Sequence, residues 1–457
     1  MLCFEANYEL IQGRIDPDFY QPKYIGLDSR IDNVYHRRLG SICQTSTETR
    51  DPEQVPEAEF LYVDITTINP ALGIIEEPQH VIGREAPSRA RKVMQQGDIL
   101  LSTVRPYRNA VALVPPELDG QICSTGFAII RKVSDECLRE YLFVALRLNP
   151  IIEQLVRYSM GSAYPAITEA DLKRVRVPLP SLERQREIVT IMRVAYAERD
   201  AKLREAEDLL GEIDGLIMRS LGIRFDEPSF RRSFHVEYRL LSDRIEAEYY
   251  RPEFSLLDEA LEQGTYPLVP LGHVVRFIRN GIDCRDYVAA GTSYIRVTDI
   301  SRDGTIDLNR ANHVSMTLEQ IELSLHLRDG DVLFTRKGTP GKVAVVKGST
   351  TDAIISSEII LMRLKDVTIP EYFEAFFNSL PGHRQVQRNT RGALNVGINH
   401  PTLLRLRIPL PADKKVQQAI ANDVQSRRRM AQELRRQAVE AVGKAKLKVE
   451  AMILSQG

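Results

Sequence analysis

Arg105, Tyr107 and Arg108 close one short run, Gly97-Asp98-Ile99-Leu100-Leu101-Ser102-Thr103-Val104-Arg105-Pro106-Tyr107-Arg108. Arg336, Lys337 and Lys342 lie in and just beyond a second, Gly330-Asp331-Val332-Leu333-Phe334-Thr335-Arg336-Lys337-Gly338-Thr339-Pro340-Gly341. Each run reads as an apolar strand entering a basic turn with Pro or Gly, followed by a second strand (Val111–Val114, Val343–Val346). Arginine in such a turn can make paired hydrogen bonds to guanine edges, and both lysine and arginine hold phosphate. The competing reading is a solvated turn, with Arg105 or Arg336 paired to Asp98 or Asp331. Cationic turns in both runs, despite divergent sequence, favour an anionic partner.

A second candidate pair is Gly161-Ser162-Ala163-Tyr164-Pro165-Ala166 and Gly392-Ala393-Leu394-Asn395-Val396-Gly397, entered from Arg157 and from Arg388 and Arg391. Small residues permit close backbone approach to a ligand, and arginine can clamp phosphate. Ser162, Tyr164 and Asn395 are the groups suited to touching a base or sugar. An ordinary Gly turn between helix and strand is the plainer reading of these loops.

Other chemistry is hard to place. There is no Gly-x-Gly-x-x-Gly and no phosphate-binding Gly-x-x-x-x-Gly-Lys sequence. Asn69-Pro70-Ala71-Leu72 and Asn149-Pro150-Ile151-Ile152 lack the aromatic fourth residue of an amino-methyltransferase loop. The eight histidines form no zinc pattern, and Ser124-Thr125-Gly126 has no nucleophile elbow around it. No catalytic, cofactor-binding or metal-ligating residues are assigned.

The elements that must position the basic turns occur twice. Arg14-Ile15-Asp16 to Gln21-Pro22 is answered by Arg244-Ile245-Glu246 to Arg251-Pro252, and Ile122-Cys123-Ser124-Thr125-Gly126-Phe127 by Ile354-Ile355-Ser356-Ser357-Glu358-Ile359. Leu172-Lys173-Arg174-Val175-Arg176-Val177-Pro178-Leu179-Pro180 is answered by Leu403-Leu404-Arg405-Leu406-Arg407-Ile408-Pro409-Leu410-Pro411. With the opening runs this makes four landmarks in one order, their offsets drifting by only a few residues. Such a set implies internal duplication of a whole domain. Within each copy, short β-branched segments between Gly and Pro turns predict a mixed or antiparallel sheet, and Leu138–Tyr158 a helix, matched by Tyr372, Phe373, Phe376 and Phe377.

After each Pro-Leu-Pro exit the pattern changes. Ile188, Met192, Ala195, Ala206, Leu209, Ile213 and Leu216, and then Val416, Ile420, Val424, Leu434, Ala438, Val442, Ala445, Val449 and Met452, recur near a coiled-coil spacing. About 35 helical residues would extend roughly 50 Å. Ser181–Glu227 carries eleven acids and eight bases, whereas Asp413–Glu450 carries ten bases and five acids, so the two helices are expected to pair, antiparallel. The alternative is that each helix packs separately on its own domain.

The chain has 457 residues, too many for one typical core, with 43% apolar and 27% charged residues and a net charge of −1. That charge does not advertise a nucleic-acid binder, yet it hides clusters. Residues 89–108 hold five bases and one acid, and 384–407 hold five arginines and no acid. The five cysteines form no Cys-x-x-Cys pair, which fits a reducing cytoplasm. No signal pattern and no bilayer-length apolar run is seen, so a cytoplasmic protein without membrane contact is expected.

The order Arg-Ile-(Asp/Glu), Tyr-x-Pro, Gly-Asp-(Ile/Val)-Leu, Ser-Thr-Gly-Phe or Ser-Ser-Glu-Ile, then Pro-Leu-Pro resembles the DNA-specificity subunits of type I restriction–modification systems over nearly the whole chain. Leu182-Glu183-Arg184-Gln185-Arg186-Glu187-Ile188-Val189 resembles the start of that family's central helix. The second helix departs from it, beginning Asp413-Lys414-Lys415-Val416-Gln417-Gln418 without Glu-x-Gln, so the resemblance does not imply equal partner affinity at the two ends.

The resemblance implies an α+β fold of two tandem duplicated target recognition domains, 1–180 and 229–411. Long spacer helices, 181–228 and 412–457, would form an antiparallel coiled coil with pseudo-twofold symmetry. It implies a non-catalytic subunit that reads two unequal half-sites of double-stranded DNA, separated by an unread spacer. Two DNA methyltransferase subunits would supply S-adenosylmethionine chemistry, and a motor–nuclease subunit can join. The helix length suits half-sites about one DNA turn apart, ~34 Å. A reading of another class is a duplicated-domain protein-interaction scaffold whose basic turns are merely solvated.

Overall fold

A computed structural model describes residues 16–159, 165–226, 228, 233–236, 246–390 and 397–455. The chain divides into two compact units, one made of residues 1–202 and 436–457 and the other of residues 203–435. Residues 1–180 fall in the first unit and residues 229–411 in the second, and each unit also takes part of both long helices.

In the first unit, α1 (Pro22–Asp32) leads into a sheet of strands β1 (Cys43–Thr45), β5 (Ile99–Ser102), β6 (Val111–Leu113) and β8 (Phe127–Val133), in the order β1-β8-β5-β6 and antiparallel throughout. A second sheet holds β2 (Glu59–Val63), β3 (Gln79–Ile82), β4 (Ala90–Val93) and β7 (Ile122–Ser124), in the order β3-β2-β7-β4, with β2 and β7 parallel. The expected mixed and antiparallel pairing is both present and divided between two sheets. Strand side chains point alternately to opposite faces. Ile99, Leu101, Val111 and Ile130 thus enter a core shared with helices, while Leu100, Ala112, Phe127 and Ile129 enter one shared with Val63 and Cys123 of the second sheet and with Met94 just beyond β4.

Helix α2 (Arg139–Leu146) and helix α3 (Asn149–Tyr158) replace the single helix expected over Leu138–Tyr158. Pro150 has no amide hydrogen to donate and suits the first turn of a new helix, so the chain breaks at Arg147-Leu148. The Tyr141 hydroxyl donates to Pro178 O at 2.5 Å and anchors the exit strand. Helix α4 (Leu182–Leu221) begins here. Its Ile188, Met192 and Ala195 share the first unit's core with Val442, Ala445, Val449 and Met452 from the end of the chain.

The second unit repeats the plan. It contains α5 (Pro252–Glu262), β9 (Val275–Asn280), β10 (Tyr287–Val288), β11 (Thr292–Ile295), β12 (Asn312–Val314), β13 (Val332–Thr335), β14 (Val343–Val345), β15 (Ile354–Ile355) and β16 (Ile359–Leu364). Helices α6 (Pro370–Asn378), α7 (Leu380–Asn389) and α8 (Lys414–Leu454) follow. The sheets run β9-β16-β13-β14 and β10-β12-β11-β15, with β11 and β15 parallel as β2 and β7 are. Divergence sits at the sheet edges: β4 flanks β7 in the first unit, and β10 flanks β12 in the second.

The long helices run antiparallel within each unit. In the first, Lys202 Nζ donates to Gln437 Oε1 at 2.9 Å, while Ile188 and Met192, earlier on α4, share a core with Val449 and Met452, later on α8. In the second, Arg427 lies 3.6 Å from Glu212. Pairing is thus as expected, and the alternative of separate packing is set aside. Each helix also caps a neighbour in its unit. Glu450 Oε1 accepts from Asn149 N (2.9 Å) at the start of α3, and Asp214 Oδ1 accepts from Leu380 N (2.7 Å) at the start of α7.

Candidate nucleic-acid interface

Gly-Asp in each opening run is framework. Asp98, 2% exposed, accepts from Arg131 Nη2 at 2.9 Å and from Gln95 N at 2.8 Å. Asp331 accepts from Arg363 Nε at 3.0 Å and from Arg328 N at 2.9 Å. The acids that could have neutralised Arg105 and Arg336 are therefore paired with arginines on β8 and β16. This corrects the partners assumed in the solvated-turn reading.

Beyond β5 the chain turns through Arg105 (φ 50°) and Asn109 (φ 54°), both left-handed, around a tight 3-10 turn at Pro106–Arg108. Non-glycine residues rarely adopt this conformation, which costs on the order of 1 kcal/mol each and is concentrated at functional sites. Tyr107 is 55% exposed and Arg108 is exposed, presented by a strained turn on a buried strand. Asn109, which sequence reasoning missed, holds the turn's far side through Nδ2 to Arg147 O at 3.3 Å. Its amide type, tolerant of the left-handed region, was the available signal.

The second unit builds its turn with Gly338 and Gly341 at positive φ and locks it through Thr335, whose hydroxyl donates to Thr339 O (2.7 Å) and accepts from Lys342 N (2.9 Å). Lys337, Gly338 and Thr339 are exposed. Arg336 is half-buried and donates from Nη1 to Ser357 O at 3.2 Å. Lys342 turns inward: Nζ donates to Ile300 O (2.8 Å) and Val297 O (3.1 Å), and burial, with Arg302 and Arg310 nearby, pulls its ammonium below the usual lysine range.

Both turns meet the chain emerging from the second candidate loop. Arg105 N donates to Pro165 O (2.7 Å), Ile167 N to Thr103 O (2.9 Å), and Val104 bridges Ala166. In the second unit Ile398 N donates to Arg336 O at 2.9 Å and Lys337 bridges Gly397. The two motif sets, distant in sequence, thus become neighbours in each unit. Ser162, Tyr164, Arg391 and Asn395 lie outside the described residues.

Arg157 and Arg388 face the other way. Arg157 Nε donates to Phe19 O (2.7 Å), Nη1 pairs with Asp28 (2.7 Å), and the guanidinium stacks 4.0 Å from the Phe19 ring centroid. Arg388 repeats this with Tyr249 O (3.0 Å), Asp258 and the Tyr249 ring (4.4 Å). The structure gives both a framework role, clamping the segments that lead into each domain, in place of the phosphate contact expected.

Among the described residues no cluster of three His, Cys, Asp or Glu side chains suits a metal, and no helix is long and apolar enough to cross a membrane. The four described cysteines are unpaired, and burial pushes the thiols of Cys43, Cys123 and Cys137 up to about 12.

Residues 36–206 match the type I restriction modification DNA specificity domain. Over 111 residues the chain is 30% identical to the type I restriction enzyme HindI specificity subunit of Haemophilus influenzae, a match spanning 24% of each protein. The fold resembles a chain from a structure reported as the basis of complex assembly and conformational transition of the type I R-M system (26% identity, TM-score 0.54, 92% of this chain and 96% of that one). The HsdS subunit from Thermoanaerobacter tengcongensis aligns over 92% of this chain and 95% of its own, with 25% identity and a TM-score of 0.38. The matched domain lies in the first unit and the start of α4, within a duplicated α+β plan with two paired long helices. The chain is similar to type I restriction–modification specificity subunits, and the family match covers residues 36–206.

Proposed function

We propose that the chain reads a bipartite DNA site, each unit contacting one half through its basic turn and the adjoining loop, and that the chain itself is not a catalyst. The observation that carries this is the pair of turns. They leave equivalent strands and meet equivalent chain segments, yet offer Tyr107 and Arg108 in one unit and Lys337 and Thr339 in the other. Equal frames with unequal tips read unequal half-sites. Exposed Arg108 and Lys337 supply the cation, the aromatic face of Tyr107 can stack, and strain in the first turn fixes its shape before binding. In this reading the partners are DNA methyltransferase subunits, which bring S-adenosylmethionine, and a restriction motor–nuclease; the working place is the cytoplasm.

Footprinting tests it. Two protected patches separated by sequence-indifferent DNA are expected, with affinity falling steeply as salt rises. Equal affinity for all sequences, or no DNA binding with or without a methyltransferase subunit, returns the chain to the scaffold reading.

A further inference from the structure

Each recognition domain meets the long helices at an equivalent seat, and the two seats carry unlike chemistry. In the first unit Arg147, only 2% exposed, follows α2. Its guanidinium donates to the Tyr196 hydroxyl of α4 at 2.6 Å and to the carbonyl oxygens of Ala71 (2.8 Å) and Pro70 (3.2 Å). It also lies 5.1 Å from the Phe143 ring centroid.

In the second unit Asn378 ends α6 where Arg147 follows α2, and Glu374, one turn earlier, stands where Phe143 does. Glu374 is 4% exposed, pairs with Arg428 Nη1 of α8 at 2.7 and 2.9 Å, and accepts from Asn378 Nδ2. Arg428 is the counterpart of Tyr196: each follows its helix's buried glutamine, Gln185 or Gln417, by the same number of residues.

A loop from the second sheet comes down on each seat with a left-handed glycine, Gly73 (φ 72°) over Arg147 and Gly304 (φ 79°) over Glu374. A Cβ at either position would overlap the guanidinium or the carboxylate beneath it. The geometry of the seat is common to both copies; only its charges differ.

We infer that the seats form a position code: the Tyr196 seat accepts a recognition domain presenting a buried arginine, and the Arg428 seat one presenting a buried carboxylate a helical turn earlier. A first domain placed on α8 would press Arg147 against Arg428 with no acid between them. A second domain placed on α4 would cost Glu374 its Arg428 fork and give it the neutral Tyr196 hydroxyl instead. The cations nearby would be Arg199, stacked on the Tyr196 ring (4.9 Å), and Lys446. A buried charge stripped of its partner is strongly destabilising, and a repulsive pair built against the wrong occupant gives specificity. The surface therefore fits recognition domains, including those exchanged from related chains, by the charge at this one place.

The test is a full-length chain in which a second copy of the first domain replaces the second, with both helices native. Its melting temperature is expected to fall by roughly 10 °C, and Arg428→Tyr is expected to restore most of the loss. A duplicated chain that melts with the native protein, or one that Arg428→Tyr does not help, overturns the code. If the duplicated chain does not fold, the native chain decides. Glu374→Phe with Asn378→Arg, and Arg428→Tyr, should each lower the melting temperature, and the combination should recover at least half of the summed loss. Purely additive losses overturn it.

Discussion

Gln417 does for the second domain what Gln185 does for the first. Gln185 Oε1 accepts from Leu138 N at 2.8 Å while Nε2 donates to Glu136 O and Pro180 O, both at 2.9 Å. Gln417 Oε1 accepts from Ile369 N at 2.9 Å while Nε2 donates to Val367 O (3.0 Å) and Pro411 O (2.8 Å). Neither side chain has measurable exposure. The glutamine at the helix start is thus retained in both copies, and the departure at Asp413–Gln418 changes only its neighbours.

Gln185→Ala and Gln417→Ala should therefore behave alike. Each leaves one amide hydrogen and two carbonyl oxygens without these bonds where a long helix begins, a loss of about 1–3 kcal/mol. Thermal unfolding of the two variants should show comparable falls; a fall for one alone would mean that the starts of α4 and α8 are not equivalent.

At the turn, Tyr107→Ala and Arg108→Ala should weaken binding to the cognate site roughly tenfold each with unchanged melting temperature. Exchanging Arg105-Pro106-Tyr107-Arg108 with Arg336-Lys337-Gly338-Thr339-Pro340 should alter half-site preference, read by methylation of randomised DNA, while helix pairing and partner assembly persist. A change in stability alone would make the turn framework and move the reading surface elsewhere.

Arg157→Lys and Arg388→Lys should do the opposite. Lysine keeps the charge but not the fork that joins a backbone carbonyl, a carboxylate and an aromatic face. The expected outcome is a lower melting temperature with unaltered sequence preference, checked by calorimetry and by the same methylation readout.

His383 makes stability fall in acid. Burial, aided by Arg302 and Arg384, lowers its imidazole from 6.5 to about 4, and Arg302 Nη2 lies 3.2 Å from Nε2, a bond that needs Nε2 unprotonated. Because the folded value is depressed, the unfolded chain takes up the proton first. This contribution is fully present above about pH 6.5 and is lost as pH falls towards about 4. His383→Gln should flatten that part of the stability-against-pH curve measured by denaturant titration.

Much of this frame is legible in the residues. The duplicated landmarks located β5 and β13, the Pro-Leu-Pro exits located the helix starts, and the apolar spacing of Ile188 to Leu216 located a pairing seam. From sequence, Asp98 and Asp331 are candidate partners of Arg105 and Arg336, whereas they form buried pairs with Arg131 and Arg363. Those partners sit well along other strands, where nothing local marks them. Edge strands β4 and β10 escaped because an edge is defined by what it pairs with, and pairing is not local. The site was half visible: the turns and Gly loops were found separately, but only the Val104–Ala166 and Lys337–Gly397 bridges bring them together. The inward direction of Lys342, Arg157 and Arg388 could not be read from charge alone.

The first unit takes its final piece from residues 436–457, which gives its folding a timetable. Val449, Met452 and Ile453 fill its core and Glu450 caps α3, yet these are synthesised only after all of residues 203–435 of the second unit. At the usual elongation rate the interval after Lys202 is on the order of ten to fifty seconds. During that wait the apolar face around Ile188 and Met192 lacks its native cover. A chain cut short inside the second domain therefore fails twice, losing the second unit and leaving the first unsealed.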